Sequence, residues 1–268
     1  MNNLVLSDKE FAQFRDLIFE IAGIRMSDAK KPLVSGRLAK RIRQQGLFSY
    51  GDYFRLLLSE RTELQVAVDL LTTNETYFFR EPKHFDFLRE RILPELASRS
   101  TLRIWSGACS SGEEPYSIAM TLADVLGNRP WEVLASDLSL RVLEKARGGL
   151  YRMVDAEDIP RPLLARYCLK GVGENAGSLL IEPALRNRMT FRQVNLNATL
   201  PDLGQFEVIF LRNVMIYFDL ETKRQVMQRL LPLLRPGGYF IVSHSESLNG
   251  VCDGLKVVSP SIYRKPHG

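Results

Sequence analysis

The residues best placed to do chemistry lie in one stretch, Leu102 to Met120, LRIWSGACSSGEEPYSIAM. The interval from Gly107 to Gly112 equals that of a phosphate-binding loop, but Glu113 and Glu114 stand where such a loop has Lys and Ser or Thr. Two carboxylates repel a triphosphate. They suit a ligand offering hydroxyls or positive charge, and a sulfonium nucleoside offers both. The competing reading makes them a solvated first helical turn that complements the macrodipole. More polar residues follow apolar runs downstream: Asp137 after Trp131–Ala135, Asn195 after Met189–Val194, and Arg212 with Asn213 after Phe206–Leu211. Ligands of open α/β sheets bind along the carboxyl ends of the strands, where an acidic residue in Asp137's position grips ribose hydroxyls. Four such ends in series describe a nucleoside site.

The elements that position these residues follow from periodicity. Leu102–Trp105 is an apolar run too short for a helix, and Pro115 opens a helix carrying Ile118, Met120, Leu122 and Leu126. From there strand and helix alternate, as in a parallel sheet covered on both faces. A helix over about 220–234 is expected to end at Pro236-Gly237-Gly238, before a strand at Tyr239–Ser243 and an antiparallel edge near Val257–Lys265. Gly171, Gly173 and Gly177 separate Tyr167–Leu169 from Leu179–Ile181, which predicts a small hairpin insertion over about 163–187. The first seventy residues read differently. Ser7 with Glu10 has capping-box spacing before one helix, a second runs from about Pro32 to Gln45, a third carries Tyr53 and Leu57, and Thr62 with Gln65 is expected to cap a fourth. Residues 1–73 thus form a helical domain and residues 96–268 an α/β domain. Residues 74–95, NETYFFREP and a further helix, connect them, with Tyr77 to Phe79 expected to wedge into the junction.

Composition sets the outer bounds. The 268 residues are 45% hydrophobic and 25% charged, those of an ordinary globular protein. No apolar run reaches the ~20 residues of a membrane span, and no secretory leader is apparent. Three separated cysteines, Cys109, Cys168 and Cys252, lack CxxC spacing, which points to a reducing cytoplasm and away from a zinc site. His84, His244 and His267 are too scattered to suggest a metal or a triad, so no metal is expected. The net charge of +5 permits an acidic partner.

NETYFFREPKHF, SGACSSGEEPYSIAM, the VNL of 194–196, FLRNVMIYFD and GGYFIVSHSESL together resemble the CheR-type glutamate O-methyltransferases of chemotaxis receptors. The resemblance covers nearly the whole chain. It implies a Rossmann-like methyltransferase sheet, S-adenosylmethionine as donor, S-adenosylhomocysteine as product and receptor glutamates as acceptors. It further implies that Asn74, Thr76 and Arg80 reach the cofactor from the linker and that Glu114 and Asp137 hold its amino-acid and ribose parts, in either order. Asn195 with Leu196 would frame the adenine, and Arg212 with Asn213 would close the site. Arg80 and Tyr217 are the candidates for orienting the acceptor carboxylate.

Two surfaces invite a partner. Arg37, Lys40, Arg41 and Arg43 cover much of the second helix, either as plain solvated surface or as a docking face for an acidic receptor helix. The Gly171–Gly177 loop resembles that of family members whose β subdomain grips a receptor's C-terminal peptide; a plain hairpin closure is the simpler alternative. A monomer acting on the cytoplasmic helices of receptors, without membrane insertion, is the expectation. A nicotinamide enzyme is disfavoured by the missing GxGxxG, and a nucleic-acid methyltransferase by a basic helix without aromatics for base stacking. A non-catalytic adaptor would have a degraded cofactor loop, which this chain does not.

Overall fold

The computed structural model describes residues 4–267. Helix α1 (Asp8–Ala22) starts at the expected capping box, with Ser7 Oγ accepting from Glu10 N and Glu10 Oε2 from Ser7 N. It stops at Gly23, whose φ is 71° and whose absent Cβ would lie 2.6 Å from Thr222 Cγ2. Helices α2 (Lys31–Gln44), α3 (Tyr50–Ser59) and α4 (Arg61–Leu71) close a bundle around Phe14, Ile18, Val34, Leu38, Ile42, Tyr53 and Leu57. Thr62 does not cap α4 as its spacing suggested: it lies within the helix, which has no side-chain cap. Gln65 turns instead to Asp69 Oδ1 and Leu138 O, tertiary partners that replace the local one.

The linker enters α5 (Lys83–Phe87), which widens into a π turn over Leu88–Ile92 before α6 (Leu93–Glu95). Pro94 accounts for the widening, because its ring cannot sit against the carbonyl four residues back. Of the three adjacent aromatics only Phe78 and Phe79 are buried, and both join the core of the sheet. Tyr77 stays outside the expected wedge, with the Arg80 guanidinium 5.5 Å from its ring centroid.

Strand β1 (Leu102–Gly107), helix α7 (Glu113–Leu126), β2 (Trp131–Asp137) and α8 (Leu140–Gly148) begin the α/β half. An excursion follows: β3 (Leu150–Arg152), α9 (Arg161–Tyr167), β4 (Cys168–Lys170), β5 (Ser178–Ile181) and α10 (Pro183–Arg186). The chain returns as β6 (Met189–Gln193), β7 (Phe206–Leu211), α11 (Leu220–Leu230), β8 (Leu234–Ile241), β9 (Lys256–Ser259) and β10 (Ile262–Arg264). The main sheet runs β6-β2-β1-β7-β8-β10-β9, parallel through β8 and antiparallel at β10 and β9. Val208 and Phe210 face one core and Ile209 and Leu211 the other, the period of a strand buried on both sides.

Two expectations change here. Pro236-Gly237-Gly238 lies inside β8, at a register shift against β7, and α11 ends earlier. A Cβ at Gly238 would lie 2.9 Å from Glu207 O, so the glycine serves close strand approach rather than a helix stop. The insertion is a three-stranded sheet in the order β3-β5-β4, beginning before the expected interval because β3 is too short to show alternation.

Within the bundle Glu63 is 6% exposed and accepts from Arg41 Nε at 2.8 Å, Tyr53 Oη at 2.7 Å and Gln45 Nε2 at 2.7 Å. The Arg41 hydrogen bond leads the effects that hold the Glu63 carboxyl below its ordinary range, against burial. Arg41→Ala strands this carboxylate and is expected to cost ~1–3 kcal/mol, read as a lower urea midpoint at pH 7. A depressed folded-state value means that the contribution is present above the ordinary carboxylate range and is lost as pH falls through the folded value. The gap between parent and variant should therefore narrow in acid; an equal gap at all pH would contradict the assignment.

Candidate functional site

The cleft forms where β1 gives way to its loop. Ala108 and Ser110 adopt positive φ of 59° and 49°, and Gly112 one of 99°. A Cβ at Gly112 would lie 2.7 Å from the Tyr151 hydroxyl and 2.9 Å from Ala146 Cβ, so only glycine passes there. The loop aims Ser110 N at Asp137 Oδ2, while Ser139 N reaches Oδ1, each at 2.9 Å. Each carboxylate oxygen keeps a further lone pair. Glu113 and Glu114 part company, since successive helical residues project ~100° apart. Glu113 turns to Ser111 Oγ and, at 3.6 Å, Lys145 Nζ. Only Glu114 lines the cleft, accepting from Ser106 Oγ at 2.7 Å and Arg212 at 2.8 Å.

Burial raises the pKa of both Glu114 and Asp137, against the opposing pull of Arg212 on the first and of backbone N–H groups on the second. These anions are under-compensated. A donor-rich or cationic ligand is what such a pair favours.

Arg212 leaves the end of β7 with 1% of its side chain exposed. Besides Glu114 it donates to Arg80 O at 2.5 Å and lies 3.2 Å from Glu81 Oε2. Arg212 therefore braces the linker against α7. Asn213 follows with φ of 58°, tolerable for Asn, and its N–H donates to Glu246, which also receives Met215 N and Ser243 N.

The helical domain forms the roof. Arg25 N donates to Tyr217 O, Asn195 Nδ2 to Ile21 O, and Asn197 Nδ2 to Glu20 O. Asp69 accepts from Leu140 N and Arg141 N at the start of α8. Ser110 Oγ donates to Asn74 O and Arg80 to Glu75 O, which fixes the linker along the rim. Burial raises Tyr217, and the nearby charges of Arg80 and Arg37 pull it back only in part, so the phenol is neutral near pH 7.

Asn74, Thr76, Arg80, Glu114, Asp137, Asn195, Leu196, Arg212, Asn213 and Tyr217 all line this one cleft. Asn195 offers less than expected, because its amide is tied to the roof and to Asn197 N. Cys109 is a buried thiol raised by its burial, a packing residue. Part of the basic face of α2 is engaged within the helical domain: Arg41 holds Glu63, and Arg37 donates to Leu71 O and Thr72 O. Lys40 is exposed. Gly171, Gly173 and Gly177 lie in the β4–β5 turn, where a Cβ at Gly171 would lie 2.0 Å from Asn175 O. Two of the three histidines are not scattered in space, since the His84 and His244 rings lie 4.6 Å apart beside Glu81, while His267 lies against Arg264. Glu81, Glu246 and Asp69 escaped sequence reasoning. Glu81 sat within a quoted motif, but its partner Arg212 is 131 positions away by number and no local spacing links them.

Comparison with known proteins places this geometry. Residues 74–263 match the CheR methyltransferase, SAM binding domain, and residues 9–72 the CheR methyltransferase, all-alpha domain. The chemotaxis protein methyltransferase of Escherichia coli K12 is 43% identical over 253 residues, 92% of this chain and 87% of that protein. Chemotaxis protein methyltransferase 2 of Pseudomonas aeruginosa is 41% identical, covering 95% of this chain and 92% of its own length. The Salmonella typhimurium chemotaxis protein methyltransferase is 40% identical, covering 97% and 91%. With both halves matched and the strand-end cleft between them, the chain belongs to the CheR methyltransferase family.

Proposed function

We propose that the protein transfers a methyl group from S-adenosylmethionine to glutamate side chains of chemoreceptors, giving glutamate methyl esters and S-adenosylhomocysteine. The observation that carries this is the under-compensated pair Glu114 and Asp137 in a cleft that continues to Arg80 and Tyr217. The donor set fits the cofactor. Asp137, at the end of β2, is assigned to the ribose hydroxyls, and Glu114 to the amino-acid end, on the Arg80 side. Leu196 and Leu138 offer apolar cover for the adenine.

When bound, S-adenosylmethionine supplies the electrophilic methyl, which passes to a carboxylate oxygen as the carbon–sulfur bond breaks. An acceptor Glu titrates near 4.3 when unperturbed and is already ionised, so the chain needs no general base. Its task is alignment and exclusion of water. Arg80, held by Glu75 O and Tyr77, and the Tyr217 hydroxyl are assigned to orienting the acceptor. An Arg80 contact tighter in the ground state than at transfer would slow the reaction, which favours an arginine already engaged elsewhere.

The receptor is expected to meet the protein through its cytoplasmic helical region, with the enzyme acting as a cytoplasmic monomer. No described helix is long and apolar enough to cross a membrane. The α2 face, Arg37, Lys40 and Arg41, is assigned to docking, with Lys40 carrying the most accessible charge. The absence of aromatics among these charges speaks against nucleic acid. The small sheet has three-residue edges at β3 and β4, and an extended receptor C-terminal peptide could add as a further strand past the Gly171–Gly177 turn.

Labelled methyl from S-adenosylmethionine should enter receptor protein as base-labile ester; label confined to nucleic acid or to base-stable linkages would refute the assignment. Asp137→Ala should weaken cofactor affinity ~10- to 100-fold by calorimetry while the fold persists. Lys40→Glu should slow receptor methylation at low salt and leave cofactor affinity unchanged. A parental rate would make the α2 face ordinary surface. Receptor C-terminal peptides should bind at about 100 μM or tighter if the small sheet is a tether; silence in that range leaves it structural.

A further inference from the structure

Glu81, His84 and His244 form a cluster that the transfer reaction does not use. Glu81 and His84 flank the start of α5, and His244 follows β8. One ligating atom from each lies within 4.8 Å of the others. His84 Nδ1 is 3.4 Å and His244 Nδ1 3.9 Å from Glu81 Oε2.

His84 is 1% exposed, and its two nitrogens have different fates. Nε2 lies 2.7 Å from Ser261 Oγ, whose hydroxyl donates to Pro260 O. The hydroxyl proton is thus committed, so Nε2 carries the ring proton and Nδ1 is a bare lone pair. Nδ1 has no hydrogen-bond partner, although a carboxylate oxygen faces it.

We propose that Glu81 Oε2, His84 Nδ1 and His244 Nδ1 bind a divalent cation of the zinc class, with a remaining position left to water. Bonds of about 2.0–2.2 Å around a tetrahedral centre put neighbouring ligand atoms ~3.3–3.6 Å apart, and the His84–Glu81 contact already has that spacing. The His244 ring is 46% exposed, free to swing toward the other two ligands and open to ion entry. Two imidazoles and one carboxylate select zinc, cobalt, nickel or copper over magnesium or calcium. The Ser261 contact is the outer-shell bond that ligating histidines make, fixing the tautomer and the ring plane. Arg212 shares Glu81 Oε2, but it is set against two carboxylates, Glu81 and Glu114. A bound ion fastens the linker to the loop after β8, beside the cleft and outside it.

The test uses the full chain stripped of metal, without cofactor, so it is independent of the proposed reaction. Calorimetric titration with zinc chloride should give one equivalent bound, and zinc should raise the melting temperature. His244→Ala, at an exposed side chain, should stay folded by circular dichroism, bind at least about tenfold more weakly and lose the thermal shift. Cobalt(II) should give tetrahedral visible bands without thiolate charge transfer, which separates this site from Cys168 and Cys252. No binding up to about 1 mM zinc, binding indifferent to His244→Ala, or a thiolate spectrum would each overturn the proposal.

Discussion

Arg212 carries a permanent charge with 1% of its side chain exposed, and the site is arranged around that charge. Taking a guanidinium out of water costs several kcal/mol unless hydrogen bonds and opposite charge surround it. Here Glu114 comes from α7, Glu81 and the Arg80 carbonyl from the linker, and Arg212 itself from the end of β7. None of these segments is adjacent in sequence. Their joint grip on the two terminal nitrogens of one buried cation, whose Nε has no hydrogen-bond partner, fixes the linker's path over the sheet edge. Glu81 extends the brace by accepting His244 N from the loop after β8. A lysine could not make these contacts at once, because it lacks the planar fork that serves three acceptors.

The roof depends on a different kind of contact. The helical domain has its own core, and its described ties to the sheet half are mostly polar and involve backbone groups: Ile21 O, Glu20 O, Arg25 N and the N–H groups that Asp69 caps. Such contacts define position, while Ile24, packed against both cores, and Leu138, packed from the sheet half against the helical core, add an apolar seam. The cleft is therefore an interface property, with Ala22, Ile24, Met26 and Leu33 on one side and the strand ends on the other. Arg37 reinforces the seam by binding Leu71 O and Thr72 O, where the helical domain passes into the linker. Part of the basic face that periodicity marks on α2 thus also serves the chain's own backbone. Periodicity tells which face of a helix is polar, whereas it cannot tell which polar groups are already spoken for by a distant carbonyl.

What was legible followed from local rules. Capping-box chemistry found α1, alternation with period 3.6 found the bundle core, and apolar runs found β1, β2, β6 and β7. The strand-end rule gathered Glu114, Asp137, Arg212 and Asn213 because a parallel sheet brings all such ends to one edge. Illegible features share a physical cause, dependence on a partner far along the chain. β3 exists because β5 pairs with it, Gly238 is needed because Glu207 O passes close by, and Gln65 leaves its cap for Leu138 O. The histidines belong to the same group. No spacing links position 84 to position 244, and only the packing of α5 against the β8 end brings their rings to 4.6 Å.

Strain marks the same ground. Among the described residues six non-glycine residues have positive φ, and five of them, Phe79, Glu81, Ala108, Ser110 and Asn213, lie on the linker or on the two strand-end loops that border the cleft. Each left-handed residue costs roughly 1–2 kcal/mol, less for Asn, so together they oppose folding by an appreciable fraction of a domain's net stability. The hydrogen bonds they enable explain why they persist. Ser110 N meets Asp137, Asn213 N meets Glu246, and Phe79 N meets Ser117 Oγ. A regular turn would point those N–H groups elsewhere and release the carboxylates they orient. Relieving the strain with glycine would therefore relax the backbone and blur the placement of Asp137 at the same time. The energy stored along the rim and the precision of the carboxylate pair are two readings of one constraint.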